Sequence, residues 1–104
     1  MEVTFLYFED CPSHAEALER LQHVLTQEGM EAEIEIVKVE SDEQAGHLRF
    51  TGSPTILIDR QDIDPPPAGS HYGLACRVYH LEDGRISPLP SLTMIRRAVR
   101  KAET

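Results

Sequence analysis

The chain has no tryptophan, only two cysteines, and far fewer basic than acidic residues. Two cysteines exclude a densely cross-linked secreted scaffold and a zinc knuckle built from paired Cys-x-x-Cys motifs. Ten Lys and Arg against eighteen Asp and Glu leave a net charge of −8. That balance opposes capture of nucleic acid or anionic lipid by simple attraction, so neither is expected as a partner. The one local exception is Arg96, Arg97, Arg100 and Lys101. It reads as a solvated helix face whose cations suit the negative end of the helix dipole. No apolar run approaches the ~20 residues a transmembrane helix needs. The N-terminus has neither the basic start nor the apolar centre of a secretory signal. The expected location is therefore the cytoplasm, where two cysteines serve redox or metal chemistry more readily than a permanent staple.

What remains is an ordinary globular composition, 40% hydrophobic and 27% charged over 104 residues, which predicts one domain spanning residues 1–104. Val3 to Phe8 is apolar or aromatic at nearly every position, the pattern of a central strand covered on both faces. It stops at Glu9-Asp10-Cys11-Pro12. Proline suits the first helical position, so Cys11 is expected at or beside an N-cap. The helix carries Leu18, Leu21 and Leu25 at helical spacing, flanked by Ala17 and Val24, and Gly29 ends it.

Residues 32–40 read as a second strand whose apolar face shifts at Val37 and Val39. A bulge or a strand half covered at one end would produce that shift. Ser41-Asp42-Glu43-Gln44 has the form of a capping box opening a short helix. Pro54 to Asp59 is a third strand with its proline at the tolerated first position. A polar loop containing Pro65, Pro66 and Pro67 follows, then an expected fourth strand over residues 74–81. An Asp83-Gly84 turn comes next. The last helix is capped by Ser91, with Leu92, Ile95, Ala98, Val99 and Ala102 inward. The expected class is α/β, in the order β-α-β-α-β-β-α, with a mixed sheet and helices on both faces.

That order, with a cysteine after the first strand and Ser-Pro opening the third, resembles the thioredoxin superfamily. Three blocks are similar to a family of small bacterial thioredoxin-like proteins: Leu6 to Pro12, Gly52 to Asp59, and Gly73 to Tyr79. Some relatives place selenocysteine at the position of Cys11, and others are labelled alkylmercury lyase. The usual Cys-x-x-Cys is here Cys11-Pro12-Ser13-His14, so a local disulfide within the first helical turn is excluded. The resemblance implies a cis peptide before Pro54, lying beside the reactive cysteine. The backbone of Ser53 would then be open to pair with an extended thiol substrate.

These readings converge on a small site. Cys11, His14 and Cys76 are the candidate catalytic residues, and Pro12, Ser53 and Pro54 the candidate substrate-binding ones. A thiol at a helix N-terminus meets unpaired N–H groups and the positive end of the dipole, which favour a nucleophilic thiolate. His14, three residues on, would donate a hydrogen bond or add positive charge.

The place of Cys76 stays open. A simple hairpin would carry it roughly 17 Å from Cys11, beyond the ~7 Å Cα separation a disulfide tolerates. The long proline-bearing loop could instead return it to the same end. If they meet, Cys11 attacks and Cys76 resolves. If not, Cys11 acts alone. The expected function is an atypical thiol–disulfide or peroxide redox protein, acting on a thiol, disulfide or peroxide substrate or a partner protein. No resident metal or cofactor is expected. The alternatives are a soft-metal or organomercurial thiol-binding protein, a Cys11/His14/Cys76/His80 zinc site, and a non-catalytic domain that kept the fold.

Overall fold

The continuous apolar run near the N-terminus becomes the middle of the sheet. In the computed structural model, which describes residues 1–103, β1 (Val3–Tyr7) lies between two partners. It pairs in parallel with β2 (Ile34–Lys38), Val3 opposite Ile34 and Tyr7 opposite Lys38. It pairs antiparallel with β3 (Thr55–Ile58), Val3 opposite Ile58 and Leu6 opposite Thr55. Side chains of a strand alternate between faces. Val3 and Phe5 therefore join Ile56 and Ile58 against α1 (His14–Gln27) and α3 (Leu92–Glu103), packing on Leu21, Val24, Ile95 and Val99. Leu6 points the other way, with Val39, Phe50 and Ala45 of α2 (Asp42–Leu48). Helices thus cover both faces of a mixed sheet, and the result is a compact α/β structure. No helix among the described residues is long and apolar enough to cross a membrane.

Second-strand patterning resolves without a bulge, since its pairing with β1 is continuous. Ile34 serves the α1/α3 face while Val37 and Val39 serve the α2 face. Ile36, with no helix over it, is 51% exposed on this edge strand. The capping box forms as expected on its first half: Ser41 Oγ accepts from Gln44 N at 3.1 Å. The reciprocal bond goes one residue earlier, from Glu40 N to Gln44 Oε1 at 2.9 Å.

Three expectations are corrected. The strand beyond β3 in the central sheet is not residues 74–81 but β4, Gln61–Asp62, reached through a tight turn at Asp59 and Arg60. Both turn residues have positive φ, 50° and 67°, the backbone of a two-residue primed hairpin. Asp-Arg lacks the glycine that normally marks such a turn. Residues 74–81 yield only β5, Tyr79–His80, in a separate ribbon with β6, Ile86–Ser87, and one isolated bridge at Cys76. Leu92, expected inward, is 37% exposed at the start of α3.

The basic cluster on α3 has a structural use. Arg100 donates to Glu28 Oε1 at 2.6 Å, and Arg96 to Gln27 Oε1 at 2.6 Å. These contacts join the C-terminal end of α1 to α3, and Arg100 holds the Glu28 carboxyl below its usual range.

Truncating Leu21, fully buried between α1 and the sheet, should cost about 2–5 kcal/mol as Leu21→Ala. Ser91→Ala removes the acceptor for Met94 N and should cost about 1 kcal/mol. Urea unfolding of both variants checks the ranking; equal losses would contradict the assigned core.

Candidate functional site

The site forms where the chain returns to the C-terminal end of β1. After Tyr7 the chain turns, with Cys11 N donating to Phe8 O at 3.0 Å. Helical hydrogen bonding opens with Ala17 N to Ser13 O at 3.1 Å, so Ser13 is the N-cap of α1. Cys11 is therefore two residues ahead of the cap rather than on it, and Pro12 is exposed between them. The Cys11 side chain is 1% exposed, and its Sγ donates to the carbonyl of Ser53 at 3.4 Å.

Ser53–Pro54 is a cis peptide, and it does lie against Cys11. The ledge is nevertheless filled by the protein's own chain. Ser53 N donates to Ala75 O at 2.8 Å, and Arg77 N donates to Ser53 O at 2.8 Å. These bonds form a parallel bridge between Ser53 and Cys76. Ser53 thus has no free backbone group for an extended substrate, which corrects the expected open ledge. Its side-chain Oγ is buried with no hydrogen-bond partner.

The return path explains how Cys76 arrives. Prolines at 65–67 supply no N–H for a ladder, so the chain leaves the sheet edge beyond β4. It is caught again at α2: Gly73 N donates to Phe50 O at 3.1 Å, and Leu74 N to Asp42 Oδ1 at 3.1 Å. The next residues lie along Ser53. Both cysteines consequently meet Ser53, Cys11 through its thiol and Cys76 through its backbone, and the neighbouring Cys11, with some desolvation, pushes the Cys76 thiol above its ordinary value. Of the open arrangements, the returning loop is the one found. Both cysteines are free thiols, Cys11 buried and Cys76 exposed.

His14 is placed differently from the expectation. Its ring stacks on Tyr7, centroids 4.6 Å apart at 29°. Nearby, Glu9 pairs with Lys38 at 2.7 Å, and that cation holds the Glu9 carboxyl below its usual range. Among the described residues no three of His, Cys, Asp and Glu converge as a metal site, so Cys11, His14, Cys76 and His80 do not assemble a four-ligand zinc centre.

Sequence reasoning missed the residues that brace this bridge. Side chains alternate from Cys76 to His80: Cys76, Val78 and His80 outward, Arg77 and Tyr79 inward. Arg77, 6% exposed, makes a bidentate pair with Asp62 at 2.6 and 2.9 Å. It also donates to Thr55 Oγ1 at 3.3 Å and to Asp64 O, and its guanidinium stacks over Tyr79 at 4.7 Å. The Tyr79 hydroxyl donates to Pro54 O at 2.5 Å, and burial pushes that phenol well above its ordinary value. Arg77 and Tyr79 sit two apart, as do Asp62 and Asp64. Asp62 alone offers its carboxylate, Asp64 its backbone carbonyl, so the sequence signal was confined to one acid fifteen residues before Arg77. Gly52 completes the fit: a Cβ there would meet Arg77 N at 2.9 Å and Cys76 C at 3.1 Å.

No family model, curated protein or solved structure matches this chain.

Two predictions test the bridge. Asp62→Ala leaves a buried guanidinium without its carboxylate and should cost about 3 kcal/mol, against a much smaller loss for the exposed Asp83→Ala; urea unfolding reads both. Because the neighbouring Cys11 raises the Cys76 thiol, alkylation of Cys76 should still be climbing above pH 9. Cys11→Ala should lower that thiol and speed its alkylation at pH 8 by roughly 2- to 5-fold. A slower or unchanged rate would show that the two sulfurs do not interact in solution.

Proposed function

We propose that this chain is a thioredoxin-like thiol redox protein whose working couple is Cys11 and Cys76. The carrying observation is that both cysteines meet Ser53: the Cys11 thiol donates to its carbonyl and Cys76 bridges its backbone. A thioredoxin-like reading of the fold is supported by the β-α-β start, by the antiparallel β3 opening at a cis proline, and by a cysteine after β1 set against that proline. The second thiol, which a Cys-x-x-Cys motif would supply from the helix, would here come from the returning segment bridged to Ser53.

The proposed chemistry is two-electron oxidation of the pair. Both sulfurs lose their protons and one S–S bond forms. The two electrons pass to a disulfide, giving two thiols, or with two protons to hydrogen peroxide, giving two waters. No dipeptide spacer constrains the pair, so its geometry is set by the Ser53–Cys76 bridge and by the Arg77 anchor beneath it. A reducing compartment such as the cytoplasm is the proposed setting, since there the couple would cycle and not remain closed.

A second reading, capture of a soft metal ion by two adjacent thiolates, uses the same pair. It predicts a stoichiometric thiophilic ion in protein purified under reducing conditions.

The test is intact mass after stoichiometric peroxide. The redox couple predicts loss of two hydrogens from the reduced chain, and peptide mapping should join Cys11 to Cys76. Cys11→Ser and Cys76→Ser should each abolish the internal bridge. Added oxygen with no bridge in the unaltered chain would defeat the proposal.

A further inference from the structure

We propose that Cys76, not Cys11, is the thiol that meets an incoming small-molecule disulfide, and that Cys11 is the internal thiol that resolves the adduct. This order rests on the Cys11–Cys76 couple proposed above and assigns its direction.

Access separates the two sulfurs. Displacement at a disulfide needs the attacking sulfur to approach along the S–S axis, so it requires an open hemisphere around the nucleophile. Cys11 is 1% exposed and its Sγ faces Ser53 O. Cys76 is exposed and lines a groove of about 370 Å³ together with Thr51, Pro66, His71, Val78 and His80. Cys11 is not among the residues of that groove.

Nor is the neighbouring segment loosely held. The segment carrying Cys76 is tied to Ser53 by two 2.8 Å hydrogen bonds. It is anchored by the Arg77–Asp62 pair and packed against Gly52 so closely that a Cβ would not fit. Moving it aside would break all three.

The sequence of bonds balances. Cys76, as thiolate, attacks one sulfur of R–S–S–R; a Cys76–S–S–R bond forms and one RS⁻ leaves. Cys11, losing its proton, then attacks the Cys76 sulfur; the internal disulfide forms and the second RS⁻ leaves. Two protein thiols are oxidised and one disulfide is reduced to two thiols. The neighbouring Cys11 and some desolvation raise the Cys76 thiol, so the first step should quicken as pH rises through the alkaline range. The buried, unpartnered hydroxyl of Ser53 belongs to the residue bridging both cysteines. With one acid and one base, Asp64 and Arg77, on the groove wall, the chain's net charge of −8 favours a neutral disulfide over an anionic one.

Hydroxyethyl disulfide, small and neutral, is the probe. With Cys11→Ser it should leave a single stable adduct mapped to Cys76. With Cys76→Ser the adduct on Cys11 should form at least ~10-fold more slowly. On the unaltered, reduced chain, substoichiometric iodoacetamide should label Cys76 first, which decides the order even if a variant fails to fold. First labelling of Cys11, or a Cys11 adduct in Cys76→Ser as fast as the Cys76 adduct in Cys11→Ser, overturns the order and leaves the couple standing. Failure of the unaltered chain to form an internal bridge overturns couple and order together.

Discussion

The backbone of Ser53 is the point on which the site depends. Its N–H and C=O hold Ala75 and Arg77, and the same carbonyl accepts from the Cys11 thiol. One buried residue therefore positions both cysteines. A backbone carbonyl has two lone pairs and can serve both donors. Burial makes each bond hard to give up, because a buried donor left unpaired costs about 1–3 kcal/mol.

Beneath this bridge the structure places a rigid support. Arg77 could not be buried without its partners, since an unpaired guanidinium in the interior is strongly unfavourable. Asp62 and the carbonyl of Asp64 meet it from β4 and the residues just after, and Thr55 from β3. Tyr79 closes the ring onto Pro54. The polar cluster thus ties the returning chain to the strand that begins at the cis proline. The short hairpin at Asp59 and Arg60 places Asp62 within reach of Arg77.

Occupation of the Ser53 ledge by the chain itself changes the logic of the site. An open ledge would suit an extended partner backbone, with specificity read along a strand. A filled ledge with one sulfur outward suits a small molecule arriving at that sulfur. The edge strand β2, with Ile36 exposed, lies on the other side of the sheet order from β3 and β4.

Local patterns in the chain were enough to read most of the architecture. The apolar run at β1, the periodicity of α1 and α3, the caps at Ser41 and Ser91 and the turn at Asp83-Gly84 are short-range features, and short-range sterics and burial determine them. The approach of Cys76 to the Ser53 backbone, the filling of the ledge, the burial of Cys11 and the anchoring of Arg77 were decided only by tertiary structure. Each depends on where a long loop re-enters the fold. That re-entry is governed by contacts between residues 32 positions apart, as for Asp42 and Leu74, or 15 apart, as for Asp62 and Arg77. No periodicity within a window of the chain encodes such separations, because the energy that selects them exists only once both segments are in place.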